Sequence, residues 1–267
     1  MEPLLALLFG LLIGSFLNVC IYRWPRDLSV VRPRSHCPAC EAQIAAWDNI
    51  PLVSYIMLAG KCRKCSARIS PRYPLVEFAT GALFFYFVAV LGPTLLAIKM
   101  CCLGGMLIAL IFTDLEERIL PDEFTIGGTV VGLIFSAFVP FSPSQMVAPV
   151  FFWPFGLEVT GRWASVAESA AGAFIPGLLL WGGGWLYYKI RHREGLGLGD
   201  VKLIAMVGSF LGLQGALQTL IIGSVAGSIL GYVYIRFTRQ DPDTYELPFG
   251  TFLGAGALLL AAFVRAG

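Results

Sequence analysis

Long apolar stretches restrict the fold of this chain more than any other feature of its sequence. Hydrophobic residues make up 57% of the 267 residues and charged residues only 13%, whereas soluble domains carry about 25% charged residues. A run of about 20 apolar residues is long enough for a helix to cross the hydrocarbon layer of a membrane. The sequence therefore predicts an all-α polytopic membrane protein.

Eight stretches have this character, so we expect about eight transmembrane helices. The first lacks a basic leader and a small-residue cleavage site, which favours a retained helix over a removed signal peptide. The sixth is short and contains glycine. The predicted helices cover residues 4–22, 75–91, 95–113, 124–141, 165–188, 201–213, 216–235 and 249–264. The outer loop 142–163 is aromatic-rich and is expected to lie in the membrane interface.

Lysine and arginine are concentrated in every second predicted loop. Of the 19 basic residues, nine lie in 23–72, and six more lie in 114–123, 189–200 and 236–248. Because short basic loops stay on the cytosolic side of a membrane, this alternation predicts an outside N-terminus and four cytosolic loops. No nucleic-acid partner is expected.

Four of the seven cysteines form two C-x-x-C pairs in the first cytosolic loop. The pairs are Cys37 with Cys40 and Cys62 with Cys65. Two such knuckles supply the four sulfur ligands of a closed structural zinc site, which leaves no open position for catalysis. The alternatives are four reduced thiols without metal, or two disulfides. His36 adjoins the first pair and is interpreted as a bystander.

Two aspartates stand at predicted helix ends on the cytosolic side. Asp114 ends the third helix, and Asp200 follows a glycine-rich turn before the sixth. Acids at a membrane boundary are candidates for a functional site, and two carboxylates that share a proton can activate water for attack on a peptide carbonyl. The helix dipoles favour the proton on Asp114, which is near a helix C-terminus, over Asp200, which is near an N-terminus.

Other interpretations of these acids stay open from the residues alone. Asp200 can simply cap a helix, and Asp114 can be an ordinary interfacial acid. The pair can also serve a cation- or proton-coupled transporter, and a third possibility is a zinc-knuckle scaffold that needs neither acid. Asp122, after Leu120-Pro121, is predicted to be a helix N-cap.

Several motifs together resemble one known family, the bifunctional type IV prepilin leader peptidase/N-methyltransferases. Each string is short, but their order and spacing are specific. They comprise residues 14–19 and 21–23, the two cysteine knuckles, and residues 48–51, 60–62, 70–77, 120–122, 197–203 and 248–250. The chain departs from the family pattern at Leu198, where an aromatic residue is expected, and at Thr113.

The resemblance implies a fold, an activity and a set of site residues. Asp114 and Asp200 would be the catalytic dyad, with Gly197, Gly199, Lys202 and Asp122 supporting the catalytic loop. Substrates would be type IV prepilins and type II secretion pseudopilins in the bacterial inner membrane. Their basic leader would be cut on the cytosolic side.

The second implied activity is methylation of the new N-terminus with S-adenosylmethionine. Glu77 is the residue considered for this step, although its interpretation as an interfacial structural acid is favoured. The implied organisation is a first transmembrane helix (1–22), a cytosolic four-cysteine zinc loop (23–74) and a seven-helix membrane protease core (75–267).

Overall fold

The computed structural model describes residues 1–142, 145–147, 161–192, 197–238 and 247–265. Most of the predicted outer loop 142–163 and residues 195–196 of the glycine-rich turn therefore lie outside the described residues. The helices are α1 (Glu2–Arg23), α2 (Val53–Met57), α3 (Arg72–Leu91), α4 (Leu95–Glu117), α5 (Asp122–Phe138), α6 (Gly161–Arg191), α7 (Leu198–Thr238) and α8 (Phe249–Ala262). Two 3-10 turns, Trp24–Arg26 and Ala46–Asn49, lie between α1 and α2.

Within the described residues, five helices are long and apolar enough to cross a membrane, which confirms an all-α polytopic fold. They are Glu2–Arg26, Arg72–Leu91, Leu95–Glu117, Gly161–Arg191 and Leu198–Thr238. Each of the eight predicted segments coincides with helix, two of them within α7. The helices α5 and α8 have only 17 and 14 residues, so the number of eight crossings stays a prediction.

Polar groups are buried and apolar groups are exposed, the distribution that a lipid solvent favours. Lys99, Thr80 and Glu168 are at most 2% exposed, whereas Phe9 and Leu12 on α1 are each 59% exposed. The chain divides into two compact units, Met1–Ala109 and Leu110–Gly267, with the boundary inside α4.

In the first unit, α1 packs closely against α3 through glycines. A Cβ on Gly14 would lie 2.7 Å from the Cα of Glu77, so only glycine permits this approach. Asn18 Nδ2 donates to the carbonyl of Tyr73 at 3.0 Å, which ties α1 to the start of α3. The segment between α1 and α3 contains the four paired cysteines.

In the second unit, α7 is broken at Gly212, where φ is 75°. Leu120 touches both Gly199 and Gly250, and Leu247 touches Gly231, so both ends of α7 lie beside the start of α8. An unbroken helix would hold Gly199 and Gly231 about 48 Å apart at 1.5 Å per residue. The two halves of α7 therefore run in opposite directions, as the separate sixth and seventh predicted segments require.

The buried acid Glu168 on α6 stabilises this break. Its Oε1 accepts the amide of Leu213 at 2.8 Å, and its Oε2 accepts the amide of Val147 at 2.7 Å. The first amides of a helix have no partner within the helix, so Glu168 supplies one at the point where the second half of α7 begins.

Close packing of α6 on α7 leads to a first testable prediction. A Cβ on Gly172 would lie 2.5 Å from the carbonyl oxygen of Gly208 and 2.7 Å from the Leu213 nitrogen. Because backbone cannot yield as a side chain does, Gly172→Ala should destabilise the protein by about 1–3 kcal/mol. Thermal melting of the purified protein in detergent measures this loss.

The matched control is Gly183→Ala on the same helix, where a Cβ would meet nothing within 4 Å. This variant should melt at or slightly above the parent, since alanine favours helix by about 1 kcal/mol over glycine. Equal melting temperatures for the two variants would contradict the packing interpretation.

Candidate functional site

The structure brings Asp114 and Asp200 together in the second unit. Asp114 lies on the last turn of α4 and is 6% exposed. Asp200 lies on the first turn of α7 and is half-buried. They are close enough for their charges to interact, because the side chain of Leu120 lies against both Gly199, which precedes Asp200, and Gly250, which adjoins the Asp114 carboxylate. Two carboxylates from different helices thus meet at one place.

Thr251, at the start of α8, makes two hydrogen bonds to one oxygen of Asp114. Its backbone amide donates to Oδ2 at 2.6 Å and its hydroxyl donates to the same atom at 2.8 Å. Gly250 permits this contact, because a Cβ there would lie 3.2 Å from the Asp114 Cγ. Sequence reasoning missed Thr251, and its only signal was its position directly after the motif at residues 248–250.

The two predicted support glycines lie on the Asp200 side of the site. The amide of Asp200 donates to the carbonyl of Gly197 at 3.2 Å. A Cβ on Gly197 would lie 3.5 Å from Asp200 Oδ2, and one on Gly199 would lie 3.2 Å from the Leu120 side chain. Only Gly199 is in tight contact, and it lets the start of α7 approach the connection between α4 and α5.

Lys202 and Asp122, the other two predicted support residues, form an ion pair. Lys202 Nζ lies 2.7 Å and 2.9 Å from the two carboxylate oxygens of Asp122. The prediction that Asp122 caps its helix is wrong, because Asp122 is the first residue of α5, Pro121 occupies the cap, and no side chain caps this end. The pair instead joins the start of α5 to the first turn of α7.

In the first unit, the four paired cysteines form one cluster. Their sulfur atoms all lie within 4.8 Å of one another, and Cys37 Sγ lies 3.8 Å from Cys65 Sγ. A tetrahedral ion with sulfur ligands at about 2.3 Å separates them by about 3.8 Å. The cluster therefore fits a metal ion. All four cysteines are free thiols, which contradicts the disulfide alternative. His36 is outside the cluster.

The two knuckles repeat the same backbone geometry. The amide of Cys37 donates to Ala42 and that of Glu41 to Cys37, and Cys62 with Ala67 and Ser66 makes the equivalent pair of bonds. Glu41 and Ser66 both have positive φ, at 55° and 58°. Each knuckle is therefore a tight turn that directs two sulfur atoms toward one point.

Backbone amides near the cluster stabilise the thiolate form of cysteine, which is the form that binds a cation. The amides of Cys65 and Lys64 lower the pKa of the Cys62 thiol to about 6. The Ala67 amide also lowers the pKa of the Cys65 thiol. Hydrogen bonding with the Cys40 thiol and burial act the other way and outweigh it, so that the pKa of Cys65 is raised to about 12. Four thiolates repel one another without a counter-charge, so metal binding would release protons.

Comparison with known proteins covers both units. A family model described as the bacterial peptidase A24 N-terminal domain matches residues 8–91, and one described as the type IV leader peptidase family matches residues 101–232. A prepilin leader peptidase/N-methyltransferase from Stutzerimonas stutzeri is 36% identical over 273 residues, covering 94% of this chain and 86% of that protein. The chain belongs to the type IV leader peptidase family.

Two further relatives of this chain are also named prepilin leader peptidase/N-methyltransferase. The Pseudomonas aeruginosa protein is 34% identical, with 94% of this chain and 86% of that protein covered. The Myxococcus xanthus protein is 37% identical, with 88% and 64% covered. No solved structure matches the chain.

Glu77 is the remaining predicted site residue, and it is hydrogen-bonded to groups of the surrounding loop and helix. Its Oε2 accepts the amide of Leu52 at 2.8 Å, and it also bonds the Ser15 side chain. Leu52 has a φ of 59°, a conformation that costs an ordinary residue free energy. Glu77 is 8% exposed and holds the turn that precedes α2, so the structural interpretation of this acid fits its surroundings.

Proposed function

We propose that this chain is a membrane aspartic endopeptidase that removes the basic leader from type IV prepilins and type II secretion pseudopilins, and then methylates the new N-terminus. The observation that carries the proposal is the convergence of Asp114 and Asp200 at two helix ends. Support comes from the relatives named prepilin leader peptidase/N-methyltransferase. The transporter alternative has no support from any of them.

In the proposed reaction, one ionised and one protonated aspartate bracket a water molecule. The ionised carboxylate takes a proton from the water as its oxygen bonds the scissile carbonyl carbon. The protonated carboxyl gives its proton to the carbonyl oxygen. The C–N bond then breaks as the departing amine takes the proton that came from the water, and one hydroxyl of the tetrahedral intermediate returns its proton to the second aspartate, which leaves a carboxylic acid product and restores the singly protonated dyad. No covalent enzyme intermediate is required.

The proposed setting is the inner membrane, with the dyad and the cysteine loop of residues 23–74 on the cytosolic side. This orientation is supported by the concentration of Lys and Arg in the predicted cytosolic loops. A substrate with a cytosolic leader and an apolar stem has its cleavage site near the inner interface, where helix ends such as those of α4 and α7 would lie. Residues 75–267 then form the protease core.

For the methyl transfer, S-adenosylmethionine is the proposed donor. Glu77 is already bonded to Leu52 and Ser15, so we assign it to the fold of the loop and derive no step of the transfer through it. The proposed ion of the cysteine cluster is zinc, since four thiolates in tetrahedral reach suit Zn²⁺ and leave no site for a water ligand.

The test is to incubate the purified protein in detergent with a prepilin and S-adenosylmethionine that carries a labelled methyl group. We expect a product shortened by the leader and labelled on its new N-terminus, both read by mass spectrometry. An unchanged prepilin would overturn the peptidase proposal. Correct cleavage without label would restrict the chain to a peptidase.

The ion pair between Lys202 and Asp122 gives a smaller prediction for the same assay. Both side chains are partly exposed, at 38% and 55%, and exposed pairs contribute about 0.2–1 kcal/mol. Lys202→Met and Asp122→Asn should each slow cleavage by about 1.5- to 5-fold through a looser start of α7. Because each substitution removes the same ion pair, the double variant should cleave no more slowly than the slower single variant. A double variant whose loss of rate equals the product of the two single losses would contradict a shared role.

A further inference from the structure

We propose that Thr251 is a positioning residue that keeps Asp114 ionised, so that the single proton of the dyad resides on Asp200. The inference rests on the proposed function and deepens it by dividing the roles of the two aspartates. Asp114 would be the base that receives the proton of water, and Asp200 would be the acid that protonates the carbonyl oxygen. Thr251 itself touches no reacting atom in this scheme.

The hydrogen-bond geometry at Asp114 carries the assignment. A backbone N–H can only donate, so the 2.6 Å contact from the Thr251 amide commits a lone pair of Oδ2. The Thr251 hydroxyl lies 2.8 Å from the same oxygen and 3.4 Å from the carbonyl of Ile111. Because the hydroxyl has one proton, the shorter contact is favoured. An oxygen that accepts two hydrogen bonds is stabilised as an anion.

Asp200 has a different set of neighbours. Among the described residues, no side chain donates a hydrogen bond to its carboxylate, and its Oδ2 lies beside Gly197, which has no side chain. Within the part of the chain that the structure describes, the charged groups that act on the dyad are Arg118, one residue beyond the end of α4, and the two aspartates themselves. The nearby Lys202 is paired with Asp122. The uneven supply of donors therefore favours the negative charge on Asp114.

This assignment reverses the expectation from helix dipoles, which put the proton on Asp114. A helix dipole is equivalent to about half an elementary charge at the helix end, and its effect falls off within one turn. Two direct donors at 2.6 Å and 2.8 Å act at contact distance, where hydrogen bonds to an ionised group are at their strongest. The local donors therefore outweigh the dipole.

The experiment is the pH dependence of kcat/KM for prepilin cleavage by the full chain and two variants. Thr251→Val keeps the amide and the shape but removes the hydroxyl, whereas Thr251→Ser keeps both donors. The acidic limb reports formation of the ionised base, so Thr251→Val should move it to higher pH by about one unit, a tenfold loss of the active form at low pH. The alkaline limb should stay in place, and Thr251→Ser should follow the parent.

Each outcome decides a separate point. A Thr251→Val enzyme that is slower at every pH with an unmoved acidic limb would overturn the inference, as would movement of the alkaline limb alone. If Thr251→Val does not melt like the parent, Thr251→Ala removes the same hydroxyl without a branched side chain. Near-normal cleavage by either Asp114→Asn or Asp200→Asn would instead defeat the proposed dyad, which keeps the two failures distinct.

Discussion

Asp114→Asn and Asp200→Asn are each expected to slow prepilin cleavage by about 10²- to 10⁴-fold, the contribution of a positioned acid or base. Asparagine preserves the size of the side chain but can neither take a proton from water nor release one to the carbonyl oxygen. Asp114 is 6% exposed and accepts two hydrogen bonds from Thr251, so its environment should persist in the variant. Cleavage by the purified proteins, followed by mass spectrometry, measures the loss.

Because the two acids work on one water molecule, their losses should not multiply. The double variant Asp114→Asn/Asp200→Asn should be about as slow as either single variant. Asp27→Asn is the matched control, since it makes the same chemical change at an exposed position. Near-normal cleavage by either single variant would contradict the dyad and revive the scaffold interpretation.

Cys62→Ser is expected to remove the bound metal and unfold the loop around the cysteine cluster. The ion would be held by four sulfurs that already lie within 4.8 Å of one another. Structural zinc sites of this kind supply about 10–16 kcal/mol to the folding of small domains, and a hydroxyl is a poor substitute for a thiolate. We expect a metal content near one ion per chain for the parent and near zero for the variant.

The control is Cys102→Ser, a half-buried cysteine of α4 outside the cluster. It should keep the metal of the parent. Limited proteolysis then reports the loop, which should be cut faster in Cys62→Ser and in the parent after treatment with a chelator. A Cys62→Ser protein that retains one ion and resists proteolysis would contradict a closed four-cysteine site.

The helices and the metal cluster were predictable because their signals are local. Each apolar stretch contains its own reason to be a helix, since backbone groups in lipid must bond within the segment. Each C-x-x-C places two sulfurs from one turn, as the repeated bonds at Cys37 and Cys62 show. The break at Gly212 lies next to the last residue of the sixth predicted segment, 201–213.

The prediction for Asp122 failed for a physical reason of the opposite kind. Its position after Leu120-Pro121 fits a helix cap, and that local rule is sound. Lys202 lies 80 positions away in the chain, yet its ammonium reaches the carboxylate at 2.7 Å. The cap falls on Pro121 instead, and Asp122, the first residue of α5, pairs with this distant side chain.

The sequence by itself determined an all-α membrane fold, four cysteines spaced for a metal ion and two acids at helix ends. Only the tertiary structure decided that those acids meet, that Thr251 reaches Asp114 across 137 positions, and that Glu168 supports the break at Gly212. Hydrophobic periodicity and residue spacing depend on one segment and its solvent, so they can be interpreted from the sequence of that segment. Hydrogen bonds between segments depend on how the helices pack, and that packing follows from contacts such as Gly172 on Gly208 that no single segment encodes.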